Sequence, residues 1–337
     1  MFQTPILYGI FGHVESSVMQ NCEIYFFWSA LSYPFLGIYN SGAAIYRSMG
    51  NSKISMFTSV IMNLWNVCGN AILIFGFGMG VAGAAIATFI SQLVGGVLPV
   101  FYFIDRSNSS RLHLCKTSFY SKVLRDACIN GSSELMTNLS MSLVNILYNY
   151  QLLRLAGENG VAAYGVIMYA AFLFVAVFVG YAVGSAPIVS FHYGARNHAE
   201  VHNLYRKSLR LIAVVAVTLT LASMFIIPCV ARIFVGYDAE LLALTSRAFR
   251  LYALSFLIMG FNVYASSFFT ALGDGVTSAL ISFLRTLAFQ VIAILLLPML
   301  LGIDGIWLAV TAAELAALAV SAAMLLTKDK VFHYRKA

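Results

Sequence analysis

Residues 54–104 read ISMFTSVIMNLWNVCGNAILIFGFGMGVAGAAIATFISQLVGGVLPVFYFI, with no Asp, Glu, Lys or Arg anywhere in the run. A soluble domain needs charge on the outer faces of its elements, and an uncharged run of this length accommodates two membrane-spanning helices. The rest of the chain agrees. Of 337 residues, 61% are apolar and 10% charged, and the mean hydropathy is +0.85, whereas soluble domains carry about 25% charge. The sequence therefore specifies an all-α polytopic membrane protein whose surrounding partner is the lipid bilayer. A net charge of +7 could suit nucleic acid, but no basic helix interleaved with aromatics carries it, so no nucleic-acid partner is expected. Cys22, Cys68, Cys115, Cys128 and Cys229 lie mostly in apolar segments without CxxC spacing. They read as small core residues, with neither a disulfide framework nor a zinc site indicated.

Apolar runs fall at 24–46, 54–76, 80–104, 127–152, 161–190, 208–231, 250–272, 276–300 and 303–326. All are helical by length, since barrel strands would alternate over about ten residues. The polar stretches Asp105–Asp126 and His192–Arg210 are each long enough for a short interfacial helix. The first divides the chain into residues 1–104, a connector 105–126, a second bundle 127–327 and a tail 328–337. Lysines and arginines concentrate on one side of the nine runs: Arg47, Lys53, the connector's Arg106, Arg111, Lys116, Lys122 and Arg125, four more between 196 and 210, and four at the C-terminus. The other side has only Arg154, Arg232, Arg247 and Arg250. That bias predicts a cytoplasmic C-terminus in the plasma membrane.

The chain also repeats itself. At an offset of 223, Gly50 meets Gly273, Asn51 meets Asp274 and Ser59 meets Ser282; at 222, Gly80 meets Gly302, Gly83 meets Gly305 and Gln92 meets Glu314. The first three runs thus recur as the last three, six runs later and in the same orientation, which is a parallel repeat. A six-run unit leaves the first copy short of about three spans, roughly 100 residues. Residues Met1–Gln20 read as the tail of a span followed by a loop, so an N-terminal truncation is expected.

Ionisable groups inside a bilayer are costly and mark function or a partner. Glu134, Arg285 and Glu314 lie within the runs. Glu134, Asn138, Ser142, Asn145 and Asn149 fall within an arc of about 80° on a helix. Such a stripe either lines an aqueous cavity or bonds neighbouring helices, because lipid leaves it unsatisfied. Glu314, with Thr311 and Ser321 on its face, is either an ion-coupling group or the structural partner of Arg285. Its repeat partner Gln92 is neutral. His198 and His202 are four apart, but no third ligand is evident, so no metal is expected. Gly180 and Gly184 form a GxxxG pair, which suggests close helix packing.

The run Gly78–Thr88, ending in Ser91-Gln92, resembles a signature of the multidrug and toxic compound extrusion (MATE) family. Matches at Tyr46–Gly50, Asn66–Gly76, Gly160–Tyr164, Pro187–Val189 and Tyr193–Ala195 extend the resemblance over residues 10–327. It implies twelve helices in two six-helix lobes, of which this chain supplies helices four to twelve with the end of three. Where the family often carries Asp in its fifth helix, this chain has Asn70, and the first helix is absent. The implied activity is antiport: H+ or Na+ entry drives small amphipathic organic cations out by alternating access, with no cofactor, no enzymatic chemistry and a monomeric protein. Glu134 and Glu314 are the candidate coupling groups. Asn138, Ser142, Asn145, Asn149, Asn70 and Gln92 are the candidate substrate contacts. A flippase for lipid-linked precursors would need cations for pyrophosphate, and Arg285 is the one cation well inside a run rather than at its end. A membrane-embedded transferase would need paired acidic motifs to hold metal, and none appears.

Overall fold

The computed structural model describes residues 16–105 and 112–334. Residues 1–15 of the N-terminal reading and Arg106, Arg111, Arg335 and Lys336 of the charge count lie outside the described residues. Among the described residues there is no strand. The chain divides between Phe119 and Tyr120 into two compact units, Met1–Phe119 and Tyr120–Ala337.

Unit 1 holds α1 (Ser16–Ser48), α2 (Ser52–Gly76, its last turn a π-helix from Ala71) and α3 (Gly80–Ile104). Small residues on α3, among them Ala85, Ala87, Ser91, Gly95 and Gly96, are buried and let α1 approach closely. A Cβ on Gly96 would stand 2.6 Å from the Phe35 carbonyl oxygen.

Unit 2 begins with the run Ser121–Gly194, which breaks at Gly157 (φ 60°, ψ −152°) into α4, 121–156, and α5, 158–194. Then follow α6 (His198–Val235), α7 (Ala239–Ala253), α8 (Phe256–Ala271), α9 (Gly275–Leu301, with a π turn at Leu284–Ala288), α10 (Ile303–Thr327) and the short α11 (Asp329–Phe332). Among the described residues six helices are long and apolar enough to cross a membrane, or seven when α7 and α8, bent by 47°, count as one broken span. Separating α4 from α5 at Gly157 and adding α1, which is long enough but richer in polar and aromatic residues, accounts for the nine apolar runs.

The repeat is visible in backbone conformation. Gly50 and Gly273 share φ values of 79° and 83°, and Gly80 and Gly302 share 53° and 58°. Each pair occupies the left-handed turn that a side chain disfavours. Asp274 caps α9 by accepting from the Thr277 amide at 3.1 Å and receives the Lys328 ammonium at 2.8 Å, tying the start of α9 to the end of α10. Burial pushes this carboxyl up, but the hydrogen bonds from Lys328 and Thr277 outweigh it and hold the pKa below the ordinary value. Its stabilisation is therefore present above the ordinary carboxylate range and is lost as pH falls through the lowered pKa.

Several local expectations are corrected. No interfacial helix forms at 112–120, which is irregular, or at 192–210, where α5 runs on to Gly194 and α6 starts at His198. The Asn197 side chain accepts from the Glu200 amide at 3.2 Å and restarts the helix early. The histidines are consequently on helix ends rather than in a solvated loop. His202 Nδ1 lies 2.9 Å from the Tyr334 carbonyl oxygen, and the His198 ring stands edge-on to His333. Cys68, Cys115, Cys128 and Cys229 are exposed rather than core, because a membrane protein's outer surface is as apolar as its interior. Gly180 and Gly184 have nothing within 4 Å of an added Cβ, so they are not a helix-packing seam.

Candidate functional site in unit 2

The helix α4 has three faces. Ser133, Ser140, Val144, Tyr148 and Gln151 are buried against unit 2. Leu135, Leu139, Leu143, Ile146 and Tyr150 are exposed and apolar. Between these faces, Glu134, Asn138, Ser142 and Asn145 are exposed and Asn149 is half-buried. Gly275 permits the close seating of α4, since a Cβ there would fall 2.4 Å from Asn130 Cα. The stripe's side chains bond along their own helix. Asn138 Nδ2 donates to the Glu134 carbonyl at 2.9 Å, Ser142 Oγ to the Asn138 carbonyl at 3.2 Å, and Asn149 Nδ2 to the Asn145 carbonyl at 2.9 Å. Glue between the helices of unit 2 is therefore not the stripe's arrangement. At the far end Asn149 lines a groove with Glu158, Tyr150 and Val161.

Glu314 is elsewhere, only 1% exposed in the interior of unit 2. Arg285 Nη1 on the π turn of α9 donates to its Oε1 at 3.2 Å, and Asn262 Nδ2 on α8 donates to its Oε2 at 2.7 Å and to its backbone carbonyl at 2.9 Å. Of the two readings of Glu314, the structural pairing with Arg285 is present. Thr311 and Ser321 make no hydrogen bond to it: Thr311 Oγ1 lies 3.5 Å from the Leu251 carbonyl, and Ser321 Oγ is buried without a partner among the described residues. Glu134 and Glu314 share no hydrogen bond or ion pair, so the two acidic candidates do not form one constellation.

In unit 1, Asn70 Nδ2 donates to Asn66 Oδ1 at 3.1 Å, and Asn66 Nδ2 donates to Thr88 Oγ1 at 3.3 Å, which joins α2 to α3. Gln92 follows one turn after Thr88 and is half-buried, with Oε1 lacking a partner among the described residues.

Sequence reasoning missed Asn262 and the hydroxyls below it. Asn262, Ser266 and Thr270 recur at four-residue intervals on a mostly apolar α8, a one-face signal without a charge to draw attention to it.

The MatE family model matches residues 135–296, which span α4 to α9. The multidrug export protein MepA of Staphylococcus saprophyticus subsp. saprophyticus is 22% identical over 307 residues, a match covering 89% of this chain and 66% of that protein. The chain thus spans about two-thirds of the length of the curated relatives it matches. A crystal structure of MATE in complex with MaL6 superposes with a TM-score of 0.90 at 21% identity, covering 99% of this chain and 75% of the other. An outward-facing multidrug resistance MATE family transporter of the MOP superfamily gives 0.89 at 22%, covering 100% and 76%. The MatE family model thus covers just under half of the chain, within unit 2, and the chain shares the fold of these MATE transporters.

Proposed function

We propose that this chain belongs to a cation-coupled exporter that moves small amphipathic organic cations out across the plasma membrane, with H+ or Na+ as the coupling ion. One observation carries the reading: the exposed polar stripe of α4, headed by Glu134, lies beside an exposed apolar face on the same helix. At bilayer depth the apolar face suits lipid, and the polar face needs water. An amphipathic cation would find a carboxylate, amide and hydroxyl partners, and apolar surface along one helix. The likeness to a multidrug export protein supports drug export, and the lysine and arginine bias supports a cytoplasmic C-terminus. A flippase reading loses its cation, because Arg285 is committed to Glu314.

The test is flux into proteoliposomes. An imposed proton or sodium gradient should drive accumulation of a fluorescent organic cation, and collapse of the gradient should release it. Impermeant thiol reagent on the exposed connector residue Cys115 reports orientation in the same vesicles. Accumulation that ignores both gradients would contradict the coupled reading.

A further inference from the structure

Below the Glu314 pair runs a chain of hydroxyls outside the α4 stripe. It also meets backbone: Ser278 Oγ donates to the Ser266 carbonyl at 2.7 Å and Thr270 Oγ1 to the same carbonyl at 3.2 Å. Ser282 Oγ lies 2.8 Å from Ser266 Oγ, Ser266 Oγ 2.9 Å from Ser278 Oγ, Ser278 Oγ 2.7 Å from Thr270 Oγ1, and Thr270 Oγ1 3.4 Å from Ser133 Oγ. In each pair either oxygen can be the donor. The chain crosses α9, α8 and α4, and Ser133, Ser278 and Ser282 are buried. At its inner end, Asn262 lies one turn from Ser266 on α8, and Arg285 lies three residues beyond Ser282 on α9. Helical neighbours at these spacings are about 5–6 Å apart. Asn262 Oδ1 and Arg285 Nε are both buried without a partner among the described residues. They are one acceptor and one donor, the polar complement that a bridging water needs, and the relay assigns a water to this position. At the outer end Asn130 Nδ2 donates to the Thr270 carbonyl at 3.2 Å, and residues 121–129 of α4 are exposed.

We propose that this hydroxyl chain is a proton relay joining the Glu314–Arg285 pair to the face of unit 2 that holds the start of α4, the side made cytoplasmic by the charge bias. The proposal rests on the coupled-exporter reading and supplies its proton exit. The O–H bond on a protonated Glu314 breaks, and its proton passes to the bridging water. Each hydroxyl then accepts one proton and gives up its own, and the buried Ser133 passes one to water entering from the exposed turn of α4 that ends at Ile129. One proton leaves for each that enters, after which the hydroxyls rotate back. The ion pair of Arg285 with Glu314 described here is the arrangement after the proton has left. Among the other titratable or charged groups on elements packed against Glu314, Tyr252 on α7 feels it electrostatically, Tyr164 on α5 and Tyr148 on α4 adjoin Tyr252, Tyr264 lies on α8, and Glu240 and Arg250 lie elsewhere on α7. Arg247 on α7 is held at the far end of α10 by Asp304. Arg285 is the one counter-charge within hydrogen-bond reach.

The experiment is proton release from the purified full chain into a pH-sensitive dye after a jump from acid to neutral pH. The double substitution Arg285→Met with Glu314→Met identifies the Glu314 component by removing it. Ser278→Ala should slow that component about 10²-fold without changing its amplitude, and Ser278→Thr, which keeps the hydroxyl, should restore the rate. Ser266→Ala provides a second break if Ser278→Ala fails to fold. A purely structural seam would lower thermal stability in both alanine variants and leave the rate per folded molecule at wild type, which overturns the relay. If the double substitution removes no component, Glu314 takes no proton, and its role in coupling fails along with the relay; if it does and Ser278→Ala is as fast as wild type, the relay alone fails.

Discussion

Glu134→Gln is expected to weaken binding of a fluorescent organic cation about tenfold and to flatten the pH dependence of that binding. Two unit charges 4 Å apart attract by about 4 kcal/mol at an effective dielectric constant near 20. An exposed carboxylate at a wetted face keeps part of that, and about 1.4 kcal/mol is tenfold. Gln preserves the volume and the hydrogen-bonding capacity, and the Glu134 backbone carbonyl still accepts from Asn138, so the helix is undisturbed. A carboxylate can gain and lose a proton and an amide cannot, so binding to the variant has one pH-dependent contributor fewer. Isothermal binding at a series of pH values reads both effects. Equal affinities and parallel pH profiles in the two proteins would remove Glu134 as counter-charge.

Breaking the buried pair should have the largest effect on stability. Arg285→Ala leaves the Glu314 carboxylate inside unit 2 without its counter-charge, and losing one partner of a buried pair costs about 3–5 kcal/mol. Asn262 still donates to Oε2 and to the backbone carbonyl, which offsets only part of this. Replacing both partners, as in the Arg285→Met and Glu314→Met double variant, removes both desolvated charges and should recover most of the loss. Thermal unfolding in detergent checks the pattern. An Arg285→Ala variant that melts like wild type would mean that the pair is not an ionised strut.

Much of this was legible in the sequence because the bilayer imposes simple rules. The uncharged run at 54–104 could only be spans, and the pairing of Gly50 with Gly273 and of Gly80 with Gly302 anticipated turns that share a left-handed backbone. The α4 stripe was equally readable, since five polar residues at helical spacing on an apolar helix leave one geometry. Periodicity failed where the apolar exterior and apolar interior look alike: Cys68, Cys128 and Cys229 read as core and face outward. It also left Glu314 undecided, because whether a carboxylate meets Arg285 depends on the π turn at 284–288, a backbone detail with no composition signature. The hydroxyl chain escaped because Ser266, Thr270, Ser278 and Ser282 are individually ordinary in membrane helices and become a chain only when α8 and α9 pack face to face.

The central claim is that the polar face of α4 borders water on the substrate's route while its apolar neighbour borders lipid. In a variant without native cysteines, Asn145→Cys and Leu143→Cys place thiols at nearly the same depth but about 160° apart around the helix. Both positions are exposed. A membrane-impermeant thiol reagent should modify Asn145→Cys and spare Leu143→Cys, and a bound organic cation should slow the first reaction. Equal reactivity at the two positions, or no protection of Asn145→Cys by the cation, would contradict the account.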